Sequence, residues 1–202
     1  MKDNHMEMNE RSNVFFISDM HFGHANIINY MNRPFKDIDD MNKQLINNIN
    51  EKVGERDELW VLGDFSHGIN REEVRIIRKA INCKHVHLIR GNHDRDYSQD
   101  HIFQSVQDYK EIKTKYGRVV LFHYPILEWA SAHWGTIHLH GHIHSTGEYN
   151  ERNLSSKYID RFPYGHHPKN PDLGLRIYDV GVDANNYSPI SIDEIAGLMG
   201  LK

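Results

Sequence analysis

Three short apolar runs in the first half of the chain each stop at a polar residue or a glycine. They occupy residues 14–17, 58–62 and 86–89. Continuous apolar runs of this length are typical of strands buried on both faces. Apolar residues spaced by three or four between the runs predict amphipathic helices over 38–53 and 70–81. Asn70, with Glu73 three residues later, predicts a capping box at the start of the second helix. Alternation of strands and helices indicates a mainly parallel sheet in an α/β protein.

The second half of the chain has a different pattern. Residues 111–125 predict a hairpin around Gly117, and residues 136–140 and 175–182 predict two more strands. Ser191, with Glu194 three residues later, predicts the capped start of a terminal helix. The polar stretch 147–174 contains three prolines, and we expect it to be a long loop or lid.

The chain has 202 residues, of which 39% are hydrophobic, and this suits one domain with its own core. We expect a flexible N-terminus over residues 1–12 and a single domain over 13–202. The predicted fold class is α/β. The expected architecture is a four-layer α-β-β-α sandwich, in which two mixed sheets pack face to face with helices outside.

Charge and composition exclude several classes of function. A net charge of −4 is unfavourable for wrapping an extended nucleic acid duplex. One cysteine, Cys83, excludes an intramolecular disulfide framework and fits the reducing cytoplasm, which is the predicted location. We expect no membrane partner, because there is no apolar run of about 18 residues. The unusual feature is the presence of 16 histidines.

Many polar side chains that can bind metals follow the predicted strands. They are Asp19, His21, Asp64, Asn92, His93, His123, His142 and His144. Ligands of α/β sheets bind beyond the carboxyl ends of the strands, so these residues can meet in one cleft. Carboxylate, imidazole and amide donors without thiolate suit manganese, iron, cobalt, nickel or zinc. A pair of ions roughly 3.5–4 Å apart needs a bridging carboxylate, and Asp64 is the natural candidate.

The order of these motifs resembles the calcineurin-like metallophosphoesterase superfamily. The chain contains D-x-H, G-D, G-N-H-D, a single H and G-H-x-H within residues 14–145. The stretch "SDMHFGHANII" at 18–28 is similar to the small predicted phosphoesterases of that family, and "VGVD" at 180–183 resembles the closing strand of small bacterial and phage members. The resemblance extends the prediction for 13–202 to a single metallophosphoesterase domain.

The resemblance implies a ligand set for each of two divalent transition-metal ions, with manganese expected first. The first ion would be held by Asp19, His21, Asp64 and His144. The second would be held by Asp64, Asn92, His123 and His142. His93 would stay free to act on the substrate.

The same resemblance implies hydrolysis of a phosphate ester by in-line attack of a hydroxide that bridges the ions. The expected partner is a small phosphodiester or nucleotide. The alternatives are a nucleotide phosphomonoesterase and a non-catalytic scaffold on the same fold. The sequence does not predict an oligomeric state.

Three residues are predicted to be catalytic: His93, Asp94 and His67. His67 stands where the protein-phosphatase branch has an aspartate and where the DNA-repair nuclease branch has a histidine, which favours diester substrates; an ordinary loop histidine is the alternative. Asp94 either supports His93 or caps the following turn.

Other histidines have less specific predictions. His24 either contacts a substrate phosphate or caps a short helix. His138 and His140 are expected to be packing or surface residues. His166 and His167 either line the mouth of the cleft or lie in a solvated loop.

Overall fold

The computed structural model describes residues 12–163 and 167–202. The predicted flexible N-terminus up to residue 11, and His166, lie outside these residues. The described strands are β1 (Val14–Ile17), β2 (Glu58–Val61), β3 (His85–Ile89), β4 (Ser105–Gln107), β5 (Tyr109–Thr114), β6 (Gly117–Phe122), β7 (Ile137–His140), β8 (Ile177–Asp179) and β9 (Ile190–Ser191).

The strands form two mixed sheets. The first sheet has the order β4-β3-β2-β1-β9, with β1 to β4 parallel and β9 antiparallel. The second has the order β5-β6-β7-β8, in which β5 and β6 form the predicted antiparallel hairpin and the other pairs are parallel. The parallel strands of the first sheet bring the carboxyl ends of β1, β2 and β3 to one edge.

The helices are α1 (Ala25–Tyr30), α2 (Ile38–Lys52), α3 (Arg71–Ala80), α4 (Gly147–Leu154), α5 (Tyr158–Arg161) and α6 (Ile192–Leu198). The predicted helix starts are confirmed, because Asn70 and Ser191 both form capping boxes. The longest helix, α2, has 15 residues. None of the helices within the described residues combines the length and the apolar character needed to cross a bilayer.

Three apolar clusters define the layers. One face of the first sheet packs through Ile17 and Val61 against Met41 and Leu45 of α2. The other face packs against the second sheet, where Phe16 and Leu62 share a cluster with Leu121 and Leu139. On the outer face of the second sheet, Val120 and Ile177 pack with Tyr158 and Phe162. The α/β prediction and its two face-to-face sheets are confirmed.

The prediction that residues 147–174 form a loop or lid is wrong, because this segment contains α4 and α5 and contributes to the core. Tyr158 is 1% exposed and lies in the outer cluster. Helix α4 is held by a polar contact: Asn150 donates to the carbonyl of Asp179 at 2.9 Å and accepts from its amide at 2.8 Å. An asparagine that hydrogen-bonds to the backbone of a strand produces no apolar periodicity, so the sequence pattern did not indicate helix α4.

The remaining differences concern short strands. The strand predicted over 175–182 covers only Ile177–Asp179. Strands β4 and β9 have three and two residues and were not predicted. Such short strands exist because the neighbouring strand supplies their hydrogen-bond partners, so their own sequence carries little signal.

We expect Leu139→Ala to lower the free energy of unfolding by about 2–5 kcal/mol. Leu139 is fully buried between the two sheets, so the substitution would leave a cavity there. The measurement is chemical denaturation of the full chain. Leu127→Ala is the matched control, because Leu127 is 74% exposed, and should change the free energy by less than about 0.5 kcal/mol. Equal effects of the two changes would contradict the sheet-on-sheet core.

Candidate metal centre

The turns that follow β1, β2, β3, β6 and β7 converge on one site. The first group of predicted ligands comes from the turns after β1 and β7. Nε2 of His21 lies 3.2 Å from Nε2 of His144, which is 3.9 Å from Oδ1 of Asp19. These three residues form a group whose donor atoms are close enough to bind one ion. The structure therefore brings together residues that are more than 120 positions apart in the chain.

A second group comes from the turns after β3, β6 and β7. Nε2 of His123 lies 3.0 Å from Oδ1 of Asn92. The ring of His142 has its centroid 5.0 Å from that of His123. His123 is fully buried, whereas Asn92 is exposed to the cleft. This group has two imidazoles and an amide oxygen.

Asp64 lies between the two groups. Its Oδ2 is 3.5 Å from Nε2 of His21 and 3.6 Å from Nε2 of His123. Its Oδ1 accepts a hydrogen bond from the backbone amide of His93 at 2.9 Å. One oxygen of Asp64 thus faces both groups, while the other fixes the turn that carries His93.

The backbone of the site is strained. Five of the seven predicted ligands have a φ in the left-handed region: Asp19 at 60°, His21 at 53°, Asp64 at 51°, His142 at 73° and His144 at 44°. Each such conformation costs a non-glycine residue about 1–3 kcal/mol and is concentrated at functional sites in proteins. These sharp turns point successive side chains into the same cleft.

Backbone hydrogen bonds maintain the turns. The amides of Asp19 and His21 donate to the carbonyls of Gly63 and Asp64, both at 3.0 Å, and so connect the turn after β1 to the turn after β2. A side chain at Gly91 would collide with Asp64, and one at Gly141 would collide with Asp19. Glycine is required at these two positions because the backbone approaches a predicted ligand closely.

Burial changes the protonation of the first group. It raises the pKa of Asp19 to about 8, because a buried carboxylate loses its hydration. Burial and the neighbouring His144 lower the pKa of His21 to about 2, so this imidazole stays neutral. A neutral imidazole can ligate a cation, and a cation would favour the ionised form of the buried carboxylate. The donor set therefore fits divalent transition metals.

In His123 and His144, the hydrogen-bond partner of Nδ1 determines which ring nitrogen faces the site. Nδ1 of His123 lies 2.8 Å from the carbonyl oxygen of Leu62. Nδ1 of His144 lies 2.8 Å from Oδ2 of Asp183, a residue that was not predicted from the sequence. Burial alone would lower the pKa of His144, but the hydrogen bond to Asp183 and the charge of Asp19 raise it overall. Both contacts favour the tautomer whose Nε2 is free to bind a metal.

Further imidazoles border the site. The ring centroid of His67 lies 4.4 Å from that of His93 and 4.2 Å from that of His24. His93 is exposed to the cleft, and its ring lies 5.3 Å from that of His21. His24 occupies the N-cap position of α1, as one predicted alternative has it, but its side chain makes no cap hydrogen bond to the helix.

Asp94 lies at the base of the turn that carries His93. Its two oxygens accept from the amides of Gly91 at 2.9 Å and Phe65 at 3.0 Å. Burial raises the pKa of Asp94 to about 7, although the amide of Gly91 opposes the shift. Asp94 thus attaches the turn that carries His93 to the turn after β2, and neither of these two hydrogen bonds caps the turn that follows Asp94.

The remaining histidines of the β7 motif have structural partners. His138 and His140 are fully buried, and Nε2 of His140 lies 3.1 Å from the hydroxyl of Tyr149. The prediction that these two histidines are packing or surface residues is confirmed, and both are packing residues.

His167 is exposed. Arg90 donates to both carboxylate oxygens of Asp108, at 2.7 and 2.8 Å.

Relatives share most of the chain. An uncharacterized protein of Methanocaldococcus jannaschii is 32% identical over 187 residues, which are 92% of this chain and 90% of that protein. The gene 66 protein of Mycobacterium phage D29 is 30% identical over 161 residues, covering 66% of this chain and 79% of the phage protein.

Similarity also extends to a solved structure and a family model. The crystal structure of a protein of unknown function from Aquifex aeolicus has a TM-score of 0.66 and 27% identity, and the match covers 93% of this chain and 100% of that one. The family model described as calcineurin-like phosphoesterase matches residues 12–184. This match spans most of the chain, so the predicted resemblance is confirmed. The chain belongs to the calcineurin-like phosphoesterase family, whose members generally bind divalent metals and hydrolyse phosphoric esters.

Proposed function

We propose that this protein is a dinuclear metal-dependent phosphoesterase that hydrolyses small phosphodiesters. The observation that carries the proposal is the position of Asp64, whose Oδ2 lies 3.5 Å from His21 and 3.6 Å from His123. A carboxylate oxygen shared by two groups of ligands is what a bridged pair of cations requires. Manganese is the proposed metal, and iron, zinc, cobalt and nickel suit the same donors.

Each ion would have its own ligands and would share Asp64. The first ion would be held by Asp19, His21 and His144, and the second by Asn92, His123 and His142. When bound, such a pair supplies a water nucleophile that is usable near neutral pH and neutralises charge on the phosphate oxygens.

His93 is the proposed general acid. Its backbone amide donates to Oδ1 of Asp64 at 2.9 Å, so the backbone that carries the imidazole is held against the bridging carboxylate. Its exposed ring can reach the leaving oxygen of a substrate that binds on the open side of the site. There it would donate a proton to the leaving oxygen, which lies opposite the attacking water. General acid catalysis of this kind typically raises the rate by about 10²–10⁴-fold.

Asp94 and His67 would act through His93. Asp94 holds the turn that presents the imidazole, through the amides of Gly91 and Phe65. His67 lies beside His93, with ring centroids 4.4 Å apart, and would orient it. Both are therefore proposed as positioning residues.

The neighbourhood of His93 supports a diester substrate. His67 stands where the DNA-repair nuclease branch has a histidine and the protein-phosphatase branch has an aspartate. Arg90, which precedes the turn of His93, donates to both oxygens of Asp108, so its charge is not free to bind the extra charge of a monoester. A phosphodiester carries one negative charge fewer than a monoester dianion, so it needs fewer positive groups outside the metal centre.

We expect the protein to hydrolyse bis-p-nitrophenyl phosphate with added Mn²⁺. With a dinucleotide, whose leaving group is an alkoxide, His93→Ala should lower kcat by about 10²–10⁴-fold, because the leaving oxygen would lose its proton donor. The loss should be smaller with bis-p-nitrophenyl phosphate, because p-nitrophenolate leaves readily without a proton. The metal content of the variant, measured by elemental analysis, should stay at the wild-type value. His101→Ala is the control, since His101 is exposed and has none of the contacts described for the site. Wild-type protein that binds metal but hydrolyses neither mono- nor diesters would instead indicate a scaffold.

We expect kcat/KM for bis-p-nitrophenyl phosphate to exceed that for p-nitrophenyl phosphate. In His67→Asp this ratio should fall, because an aspartate beside His93 would stabilise the imidazolium form of His93, which attracts the second charge of a monoester. Parallel assays of the two substrates at saturating Mn²⁺ measure the ratio. A wild-type preference for the monoester, extended to nucleoside monophosphates, would favour the phosphomonoesterase alternative.

A further inference from the structure

Arg33 is a buried cation whose donors all have partners. Its Nε and Nη2 donate to the two carboxylate oxygens of Asp183 at 2.8 and 2.9 Å. Nη2 also donates to the carbonyl of Asp19 at 2.8 Å, and Nη1 donates to the carbonyl of Met20 at 3.1 Å. The remaining contact of Nη1 is the sulfur of Met41 at 3.6 Å. A guanidinium bound at every nitrogen is rigidly oriented.

Asp183 connects this cation to a predicted ligand. The same Oδ2 that accepts from Arg33 lies 2.8 Å from Nδ1 of His144. A carboxylate in this place keeps the proton on Nδ1, orients the ring and makes Nε2 a stronger donor to a metal. The side chain of Asp183 is 7% exposed, so solvent weakens these contacts little.

Arg33 acts on the other two ligands of the first group through the backbone. Its bonds to the carbonyls of Asp19 and Met20 hold the turn in which Asp19 and His21 both have a left-handed φ. The pair Arg33–Asp183 therefore contacts the turn of two ligands and the ring of the third. In the described residues, its hydrogen bonds do not extend to the second group, where His123 is oriented by the carbonyl of Leu62.

We propose that Arg33 and Asp183 are positioning residues that control the affinity of the first metal site and leave the second site unchanged. The inference rests on the proposed two-ion centre and goes beyond it, because it assigns different structural support to the two ions. The two residues are 150 positions apart in the chain, so the contact forms only in the folded protein.

The test is a titration of the metal-free full chain with Mn²⁺ alone, by calorimetry, with elemental analysis after dialysis. The wild-type protein should bind two ions. Asp183→Asn should bind one of them about 10–100-fold more weakly, because the imidazole of His144 loses its charged partner. The affinity for the other ion should remain at the wild-type value.

Asp183→Asn also leaves Arg33 buried without a charged partner, and this variant can fail to fold. The double variant Arg33→Gln, Asp183→Asn removes both charges and keeps polar side chains at both positions. Its fold is checked by thermal denaturation in chelator. The matched control is Arg118→Gln with Glu111→Gln, which removes a partly exposed ion pair of the β5–β6 hairpin. The control should bind both ions like the wild type.

A further measurement requires no variant. In the metal-free wild-type protein, neutral His144 should carry its proton on Nδ1, and long-range ¹H–¹⁵N spectra at alkaline pH identify this tautomer. A proton on Nε2 would overturn the proposal.

Folded variants that bind both ions with wild-type affinity, or lose both equally, would also overturn it. Wild-type protein that does not bind a pair of ions would refute the proposed function itself, and this result is visible before any variant is compared.

Discussion

The main constraint on this structure is that it buries ionisable side chains at the carboxyl ends of parallel strands. Asp19 and Asp64 are at most 1% exposed, and His21 and His123 at most 2%. Removing a carboxylate from water is costly unless it is paired or coordinates a cation. The site adds backbone strain to this cost, since five of its residues have a left-handed φ. A pair of cations bridged by Asp64 would offset the burial, which is why the proposal rests on that residue.

The fold surrounds this costly site with ordinary packing. The helices α1 to α3 and the two sheets bury continuous apolar clusters on either side of the strands that end at the site. The stability contributed by these clusters allows strained, polar turns to persist at one edge. Parallel strands also supply the geometry, because their carboxyl ends lie side by side.

Local signals explain what could be predicted from the sequence. The strand over 14–17 and the capping boxes at Asn70 and Ser191 are encoded by neighbouring residues, and the structure contains them at the predicted positions. Helix α4 could not be predicted in this way, because it is held by the two hydrogen bonds between Asn150 and Asp179. A contact between residues 29 positions apart has no periodic signature.

The site follows the same rule. The predicted ligands could be named because each closes a strand and carries a donor atom, and the structure brings them to one site around Asp64. Arg33 and Asp183 escaped prediction because neither is a ligand, and their role depends on a contact across 150 positions. The signals that existed were weak: an arginine before a proline, and the final aspartate of "VGVD".

The two halves of the centre differ in a way that matters for the proposed reaction. The first group contains the buried carboxylate of Asp19 and a histidine backed by the charged Asp183. The second contains the neutral, exposed amide of Asn92 and a histidine backed only by a backbone carbonyl. A site with more negative charge and less solvent holds a dication more firmly. The first ion would therefore be the permanent one, and the second, open to the cleft, would be the one that exchanges ligands with substrate.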